Sequence, residues 1–308
     1  MFTVSANSGD QQPSDLNPAD KSVDHFFKTP KYLTVSSQLH LEALASAIPK
    51  VWTLSPTFRA EKSDTPRHLS EFYMLEAEVS FTSDLRVVMN VLEGMLRHVA
   101  VELQGTRAFS DLMNITAGED PDQPSNPLRA RWEGMAARDW PKITYTNAIN
   151  ILREAHAQEP FANEPNWEEG LAAEHERHIA SEIGKGRPVF VTNYPRHQKP
   201  FYMSPTTVAQ PGQDQTSTAE NFDLLVPDLC ELAGGSMREH RAEELLTSMR
   251  VKGVDPAKLD WYVDLRRYGS VPHGGFGLGF DRLICYLGGE GNLREVVAWP
   301  RWVGRAEG

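Results

Sequence analysis

The sequence has only two cysteines, Cys230 and Cys285, among its 308 residues. A disulfide framework and a four-thiolate zinc site both need more, so both are excluded. No stretch approaches the roughly 18 consecutive apolar residues of a membrane span. The N-terminus also lacks the basic and apolar regions of a secretory signal. These absences favour a reducing compartment, and we expect a cytoplasmic protein that does not enter a membrane.

Basic runs are absent as well. The formal net charge is −11, whereas a dedicated nucleic-acid module usually carries a basic stripe or tail. An acidic protein can nevertheless contain a local basic groove. The two common glycine-rich nucleotide loops are also missing: there is no Walker A pattern, and no GxGxxG sequence follows a predicted strand.

The composition is otherwise that of an ordinary globular protein, with 40% hydrophobic and 24% charged residues. Residues 1–30 are polar and aperiodic, which predicts an irregular N-terminal arm, and residues 31–308 are predicted to form one domain. The predicted strands come in runs with few β-α-β alternations. That order is typical of the α+β class, with an antiparallel sheet flanked by helices. Residues 104–140 contain clusters of Pro, Gly, Asp and Asn and are predicted to be irregular.

Two predicted strands, Lys50 to Glu61 and Glu71 to Val79, form an antiparallel pair around a polar loop at residues 62–68. Side chains alternate between the two faces of a strand. One face of the second strand is predicted to join the core, and it carries Tyr73, Leu75, Ala77 and Val79. The other face carries Phe72, Met74, Glu76 and Glu78. Because buried carboxylates without partners are costly, this face is either solvated at a sheet edge or directed into a polar pocket.

The neighbouring residues favour a nucleotide pocket. Arg59 and Glu61 are predicted to share a face of the first strand, and the loop carries Arg67 and His68. An arginine binds a phosphate through two parallel hydrogen bonds. An exposed aromatic ring such as that of Phe72 can stack on an adenine.

Three further patterns have weaker individual signals. Asp223 and Glu231 lie eight residues apart on adjacent predicted β segments, and two hard oxygen ligands suit Mg²⁺, although paired acids are also common on surfaces. Glycines 274, 275, 277 and 279 precede Arg282, whose place in the first turn of a predicted helix suits a bound anion. The HERH sequence at residues 175–178 is one residue short of the HExxH spacing, and we interpret it as an exposed helical face.

Taken together, these segments resemble class II aminoacyl-tRNA synthetases. Residues 58–81 read FRAEKSDTPRHLSEFYMLEAEVSF and are similar to motif 2, in the form found in asparaginyl enzymes. Residues 274–283 read GGFGLGFDRL and are similar to motif 3. Between these two motifs, the segments AEHERHI, VTNYP, KPFYM and CELAGGSMRE occur in the expected order, and the similarity covers roughly residues 26–303.

The resemblance implies a six-stranded antiparallel sheet that binds ATP with Mg²⁺ and activates an amino acid as its adenylate. Arg59 and Arg282 are the residues that it implies for catalysis. Its ATP-binding residues are Arg59 at the α-phosphate, Phe72 and Arg282 around adenine, Arg67 and His68 over the outer phosphates, and Glu61 and Glu231 on the nucleotide. The resemblance also assigns Mg²⁺ to Asp223 and Glu231.

The resemblance also assigns the amino acid. Gln38 and Glu76 would contact its α-amino group, and Arg238 would contact its side-chain carbonyl. Aspartyl relatives carry a lysine three residues after the glutamine, where this sequence has Leu41. A second carboxylate would lack its cation there, so asparagine is favoured over aspartate.

The sequence departs from the family pattern in several places. Cys230 stands where the family usually has glycine, and Asp281 where asparaginyl enzymes usually have glutamate. No segment resembles motif 1, the N-terminal OB-fold anticodon-binding domain, or the loop whose glutamate holds the amino group. We therefore expect weaker tRNA binding, and a homodimer is left open because motif 1 builds the family's dimer.

Three hypotheses remain at this point. The first is an adenylate-forming enzyme, which either charges tRNA(Asn) or serves as an amide or ester ligase in small-molecule metabolism. The second is a non-catalytic paralogue that binds ATP, an amino acid or a protein. The third is a fragment with an exposed dimer surface, for which we expect aggregation.

Overall fold

A computed structural model describes residues 1–4, 27, 29–116, 127–206 and 218–306 of the chain. Most of the arm predicted over residues 1–30 lies outside these residues. Its first part contributes a short strand, β1 (Thr3–Val4), which pairs antiparallel with β2 (Lys31–Tyr32).

The described residues form one seven-stranded sheet in the order β3-β4-β9-β8-β7-β6-β5. Its strands are β3 (Lys50–Phe58), β4 (Glu71–Ser80), β5 (Lys142–Thr144), β6 (Val189–Thr192), β7 (Asn221–Val226), β8 (Cys230–Met237) and β9 (His273–Gly279). Neighbouring strands are antiparallel except β5 and β6, which are parallel. The α+β prediction is confirmed, and the six antiparallel strands are joined by a seventh, short parallel edge strand.

Nine α-helices occur in the described part of the chain. They are α1 (Gln38–Ala45), α2 (Leu85–Gln104), α3 (Arg107–Thr116), α4 (Pro127–Ala136), α5 (Tyr145–Gln158), α6 (Ala173–Glu182), α7 (Ala242–Val251), α8 (Asp260–Arg267) and α9 (Phe280–Gly288). Helices α3 and α4 show that the irregular segment predicted over residues 104–140 was wrong. None of the described helices is long and apolar enough to cross a membrane.

One face of the sheet carries the main core. Helix α2 packs on β8 and β9 through the stripe Val88, Leu92 and Leu96, which is fully buried. The carboxylate of Asp84 caps this helix by accepting a hydrogen bond from the backbone N–H of Arg86. The opposite face of β4, β8 and β9 is therefore free to form a cleft.

The predicted core face of β4 is correct only in part. Leu75 and Ala77 pack against the main core, and Val79 is buried. Tyr73 is 48% exposed. Trp52, which lies on the same face of the sheet in the edge strand β3, is 70% exposed. The physical reason is the position of α2, which packs on the middle of the sheet rather than on its β3 edge.

Candidate active site

A cleft on the sheet face away from α2 consists of two adjoining cavities. The Gln38 cavity has a volume of about 280 Å³ and the Phe72 cavity about 140 Å³. Arg59, Met74, Glu231 and Gly277 line both, so the two spaces are continuous. Every residue that the sequence analysis assigned to ATP, Mg²⁺ or the amino acid lines one of these cavities.

Glycines keep the floor of this cleft open. Glu78 of β4 pairs with Gly275 of β9, and a Cβ atom on Gly275 would lie 2.0 Å from a Glu78 carboxylate oxygen. No such contact is sterically allowed, so a side chain at Gly275 would displace Glu78. The glycine-rich sequence of β9 therefore makes room for the carboxylates of its neighbouring strand.

The Gln38 cavity holds the three residues assigned to the amino acid. Glu76 is buried, and its carboxylate accepts hydrogen bonds from the Ser36 hydroxyl at 2.5 Å and from the Ser37 backbone N–H at 2.7 Å. The Gln38 amide donates to Glu42 at 3.0 Å. Two acceptors, the Glu76 carboxylate and the Gln38 carbonyl, can thus serve an ammonium group in this cavity.

Arg238 forms the polar end of the same cavity. Its guanidinium is buried and donates to both carboxylate oxygens of Glu78 and to the Ser236 hydroxyl. Burial alone would lower the pKa of Arg238, but the charges of Glu78 and Glu42 raise it above its ordinary value, so the group stays charged. A guanidinium has five N–H donors, and these bonds engage three, which leaves two for a ligand.

The Phe72 cavity holds the residues assigned to ATP. The Arg59 guanidinium lies 5.3 Å from the centre of the Phe72 ring. His68 and Glu61 form a pair with 3.5 Å between Nε2 and the carboxylate, and Arg282 donates to the Glu231 backbone carbonyl at 2.7 Å. Three guanidinium groups, those of Arg59, Arg67 and Arg282, line this small cavity, which suits a polyanion.

Of the two residues that depart from the family pattern, Asp281 lines this cavity, and Cys230 contacts Arg67, which also lines it. Cys230 has a φ angle of +70°, a left-handed conformation that favours glycine. Its sulfur accepts a hydrogen bond from Arg67, which also donates to the Asp228 carbonyl at 2.9 Å. The buried Asp281 accepts from the Tyr73 backbone N–H at 2.7 Å and so ties α9 to β4.

Asp223 and Glu231 meet where the two cavities join. An oxygen of each lies 3.2–3.3 Å from the place that a Cβ atom on Gly234 would occupy, so the two carboxylates converge on one point. Burial and the charge of Asp223 raise the pKa of Glu231, while Arg282 opposes them. Lys199 neutralises part of this charge through an ion pair of 2.8 Å with Asp223.

This pair of carboxylates fits a magnesium ion. Both are hard oxygen donors that repel each other, and a divalent cation would relieve that repulsion. In the described residues no three carboxylate, imidazole or thiol groups are arranged around one point as metal ligands. A cation between Asp223 and Glu231 would therefore need further oxygens, such as those of a phosphate chain.

A third carboxylate, Glu176 of α6, lies beside this pair and was missed by the sequence analysis. It accepts a hydrogen bond from the Glu231 backbone N–H at 3.3 Å. The prediction of an exposed helical face for residues 175–178 was wrong for His175, which is buried and bonds to the backbone of Ala172 and Asn163. The sequence signal was the motif AEHERHI, whose spacing alone does not tell which side faces the sheet.

The carboxyl group of Glu176 is expected to make the stability of the folded chain depend on pH. Burial, followed by the charges of Glu231 and Asp223, raises the pKa of Glu176 from 4.5 to about 7. The unfolded chain ionises this carboxyl near its ordinary pKa, so the folded state loses stability as the pH rises from about 4.5 to about 7. In buffer without divalent cations, we expect Glu176→Gln to match the unaltered chain at pH 4 and to exceed its stability by up to about 3 kcal/mol at pH 8.

Urea unfolding at a series of pH values measures this difference. The exposed Glu182→Gln, on the same helix, is the control for removing one carboxylate. A difference between Glu176→Gln and the unaltered chain that stays constant from pH 4 to pH 8 contradicts the prediction.

The structure also corrects the first strand of the predicted pair. Strand β3 ends at Phe58, so Arg59 and Glu61 lie beyond it rather than on one of its faces. The backbone N–H of Arg59 still donates to the Ser70 carbonyl at 2.9 Å, which holds Arg59 next to β4. Both residues reach the Phe72 cavity from this segment.

Known proteins resemble this chain over nearly its whole length. The mitochondrial asparagine–tRNA ligase of Saccharomyces cerevisiae is 44% identical, and the asparagine–tRNA ligase of Vibrio cholerae is 43% identical, each over 98% of the chain. The chain spans about three fifths of the length of these two relatives, 60% and 61%. Among solved structures, the asparaginyl-tRNA synthetase of Pyrococcus horikoshii complexed with asparaginyl-adenylate matches with a TM-score of 0.77 and 35% identity. That match covers 92% of this chain and 59% of the other.

A family model gives the assignment. The model of the class II tRNA synthetases (D, K and N) matches residues 12–303, which include the whole seven-stranded sheet and both cavities of the cleft. By this match and by the cleft described above, the chain belongs to the class II tRNA synthetases of the D, K and N group.

Proposed function

We propose that this chain forms asparaginyl-adenylate from asparagine and ATP, releases pyrophosphate, and passes the asparaginyl group to tRNA(Asn). The observation that carries this proposal is the continuity of the cleft. Acceptors and a guanidinium suited to an amino acid line one cavity, and cations and an aromatic ring suited to ATP line the adjoining one. The relatives named as asparagine–tRNA ligases support the choice of substrates.

The chemistry needs no side-chain nucleophile. An oxygen of the asparagine α-carboxylate attacks the α-phosphorus of ATP, and the bond from that phosphorus to the bridging oxygen breaks. Pyrophosphate leaves with the bonding electrons. Arg59, which lines both cavities, would neutralise the charge on the α-phosphoryl oxygens, and Arg282 would contact adenine opposite Phe72. Catalysis then consists of positioning the two substrates and of charge stabilisation.

Asp223 and Glu231 would hold Mg²⁺ at the junction of the cavities. When bound, the ion supplies charge neutralisation for the phosphate chain. The side chains of the protein do the remaining work there: Arg67 and His68 line the Phe72 cavity and would bind the outer phosphates, with Glu61 paired to His68.

The pocket charges support asparagine rather than aspartate. Arg238 already forms an ion pair with both oxygens of Glu78, so a ligand carboxylate would meet a neutralised guanidinium. Leu41, which is buried and lines the cavity, offers no second cation. The neutral side-chain amide of asparagine can instead accept hydrogen bonds from the two N–H groups of Arg238 that have no partner among the described residues of the protein.

The amino-acid dependence of ATP–pyrophosphate exchange tests the proposal. With the full chain and Mg²⁺, we expect exchange with asparagine, and aspartate is expected to be slower by at least about 10²-fold, since an unpaired buried charge is strongly disfavoured. Exchange with aspartate alone would replace asparagine by aspartate in the proposal and indicate an amide-forming ligase. A folded protein that shows no exchange with either acid contradicts adenylate formation. Charging of tRNA(Asn), measured separately, tests the second half-reaction.

A further inference from the structure

Glu42 of α1 is a buried carboxylate that no assignment above uses. Its side chain is fully buried, and it does not line the Gln38 cavity, although Gln38 one turn earlier does. Its two oxygens have different partners. One accepts from the Gln38 amide at 3.0 Å, and the other accepts from the Tyr262 hydroxyl at 2.7 Å and the Arg266 guanidinium at 2.5 Å.

These contacts keep Glu42 ionised. Burial by itself would raise its pKa, but a hydrogen bond from His273 and the charges of Arg266 and Arg238 lower the pKa well below its ordinary value. His273 lies 3.2 Å from the same oxygen that binds Tyr262 and Arg266. The carboxylate is thus anchored on one side, and its other oxygen is directed at Gln38.

The charge of Glu42 decides which way the Gln38 amide points. An ionised carboxylate can only accept hydrogen bonds, so the amide must present its NH₂ group to Glu42. The carbonyl oxygen of Gln38 is then the end that remains for the cavity. Without Glu42, an amide has no such preference, because its two ends are nearly equal in shape.

We propose that Glu42 is a positioning residue of the amino-acid site, which fixes the Gln38 carbonyl toward the cavity so that it accepts a hydrogen bond from the α-ammonium group of the substrate. This inference rests on the proposed function, since it needs an amino acid in the Gln38 cavity. Glu42 acts only through Gln38 and touches no substrate. The alternative is that Glu42 only compensates the buried charge of Arg266.

Calorimetric binding of asparagine and of ATP, measured separately on the full chain, distinguishes the two. In Glu42→Gln, the new amide can donate to Gln38, whose NH₂ group would then face the ammonium ion. We expect the affinity for asparagine to fall at least 10-fold while the affinity for ATP changes less than two-fold. In a Gln38→Ala background, Glu42→Gln should cause no further loss of asparagine affinity, because the group that it positions is gone.

Two other variants test whether the loss of asparagine affinity is only a consequence of lower stability. Tyr262→Phe removes one anchor of Glu42 but keeps its bond to Gln38, so we expect lower stability with asparagine affinity within two-fold of the unaltered chain. Glu42→Asp keeps the charge opposite Arg266 but shortens the side chain by one methylene. It should fold and still lose asparagine affinity selectively, so it decides the question if Glu42→Gln does not fold.

The outcomes separate the positioning role of Glu42 from the proposed function of the chain. Losses that add in the double variant, or equal losses of asparagine and ATP affinity, overturn the role of Glu42 and leave the proposed function standing. An unaltered chain that binds ATP but no asparagine overturns the asparagine-activating function itself.

Discussion

Replacing Arg59 by alanine is expected to lower the rate of asparagine-dependent ATP–pyrophosphate exchange by about 10²–10³-fold. That is the usual cost of removing one preorganised group that stabilises transition-state charge. Among the described residues, Arg59 is the one cationic side chain that lines both cavities, and the bond of the proposed reaction would form where these cavities join. Its guanidinium is exposed and packs on Phe72, and we expect the stability of the chain to change by less than about 1 kcal/mol.

The control for this prediction is Arg107→Ala, which removes an arginine whose side chain is 92% exposed on helix α3. Exchange should stay unchanged in that variant. A folded Arg59→Ala protein that retains more than a tenth of the exchange rate contradicts the assignment of Arg59 to the α-phosphate.

Replacing Glu78 by glutamine is expected to lower the free energy of unfolding by about 3 kcal/mol, the lower end of the range for breaking a buried ion pair. The side chains of Glu78 and Arg238 are only 1% and 3% exposed, so the variant leaves a buried guanidinium without its main partner. We expect the loss of unfolding free energy to be at the lower end of this range, because Glu42 lies 4.0 Å from Arg238 and still compensates part of its charge.

Urea unfolding followed by tryptophan fluorescence measures this loss. The matched control is Glu71→Gln on the same strand, whose ion pair with Arg301 is partly exposed and should contribute no more than about 1 kcal/mol. Equal losses in the two variants would contradict a special role for the buried pair.

Local patterns in the sequence predicted much of the site. Alternation along β4 correctly placed Phe72, Met74, Glu76 and Glu78 on the face that lines the cleft. Such alternation follows from the pleat of a single strand and needs no knowledge of the partner. The same reasoning failed at Tyr73, because its exposure depends on where a distant helix packs.

The helices show the same division. The amphipathic stripe of α2 and the stop of α1 before Pro49 follow from local periodicity and from proline chemistry. The turn-forming residues of the segment 104–140 are concentrated in the sequence between α3 and α4, whereas α4 itself consists mostly of good helix formers. The composition of the whole segment therefore concealed the two helices, which pack against α2.

Motifs and strand alternation are short-range patterns, so they were sufficient to predict the fold class, the family resemblance and the residue types of the candidate site. How those residues are held depends on contacts between distant parts of the chain. Arg238 meets Glu78 across 160 positions of the chain, and Glu42 meets Arg266 across 224. No local period encodes such contacts, since they arise when the pairing of β4, β9 and β8 and the packing of α1 and α8 bring distant charges into one buried network.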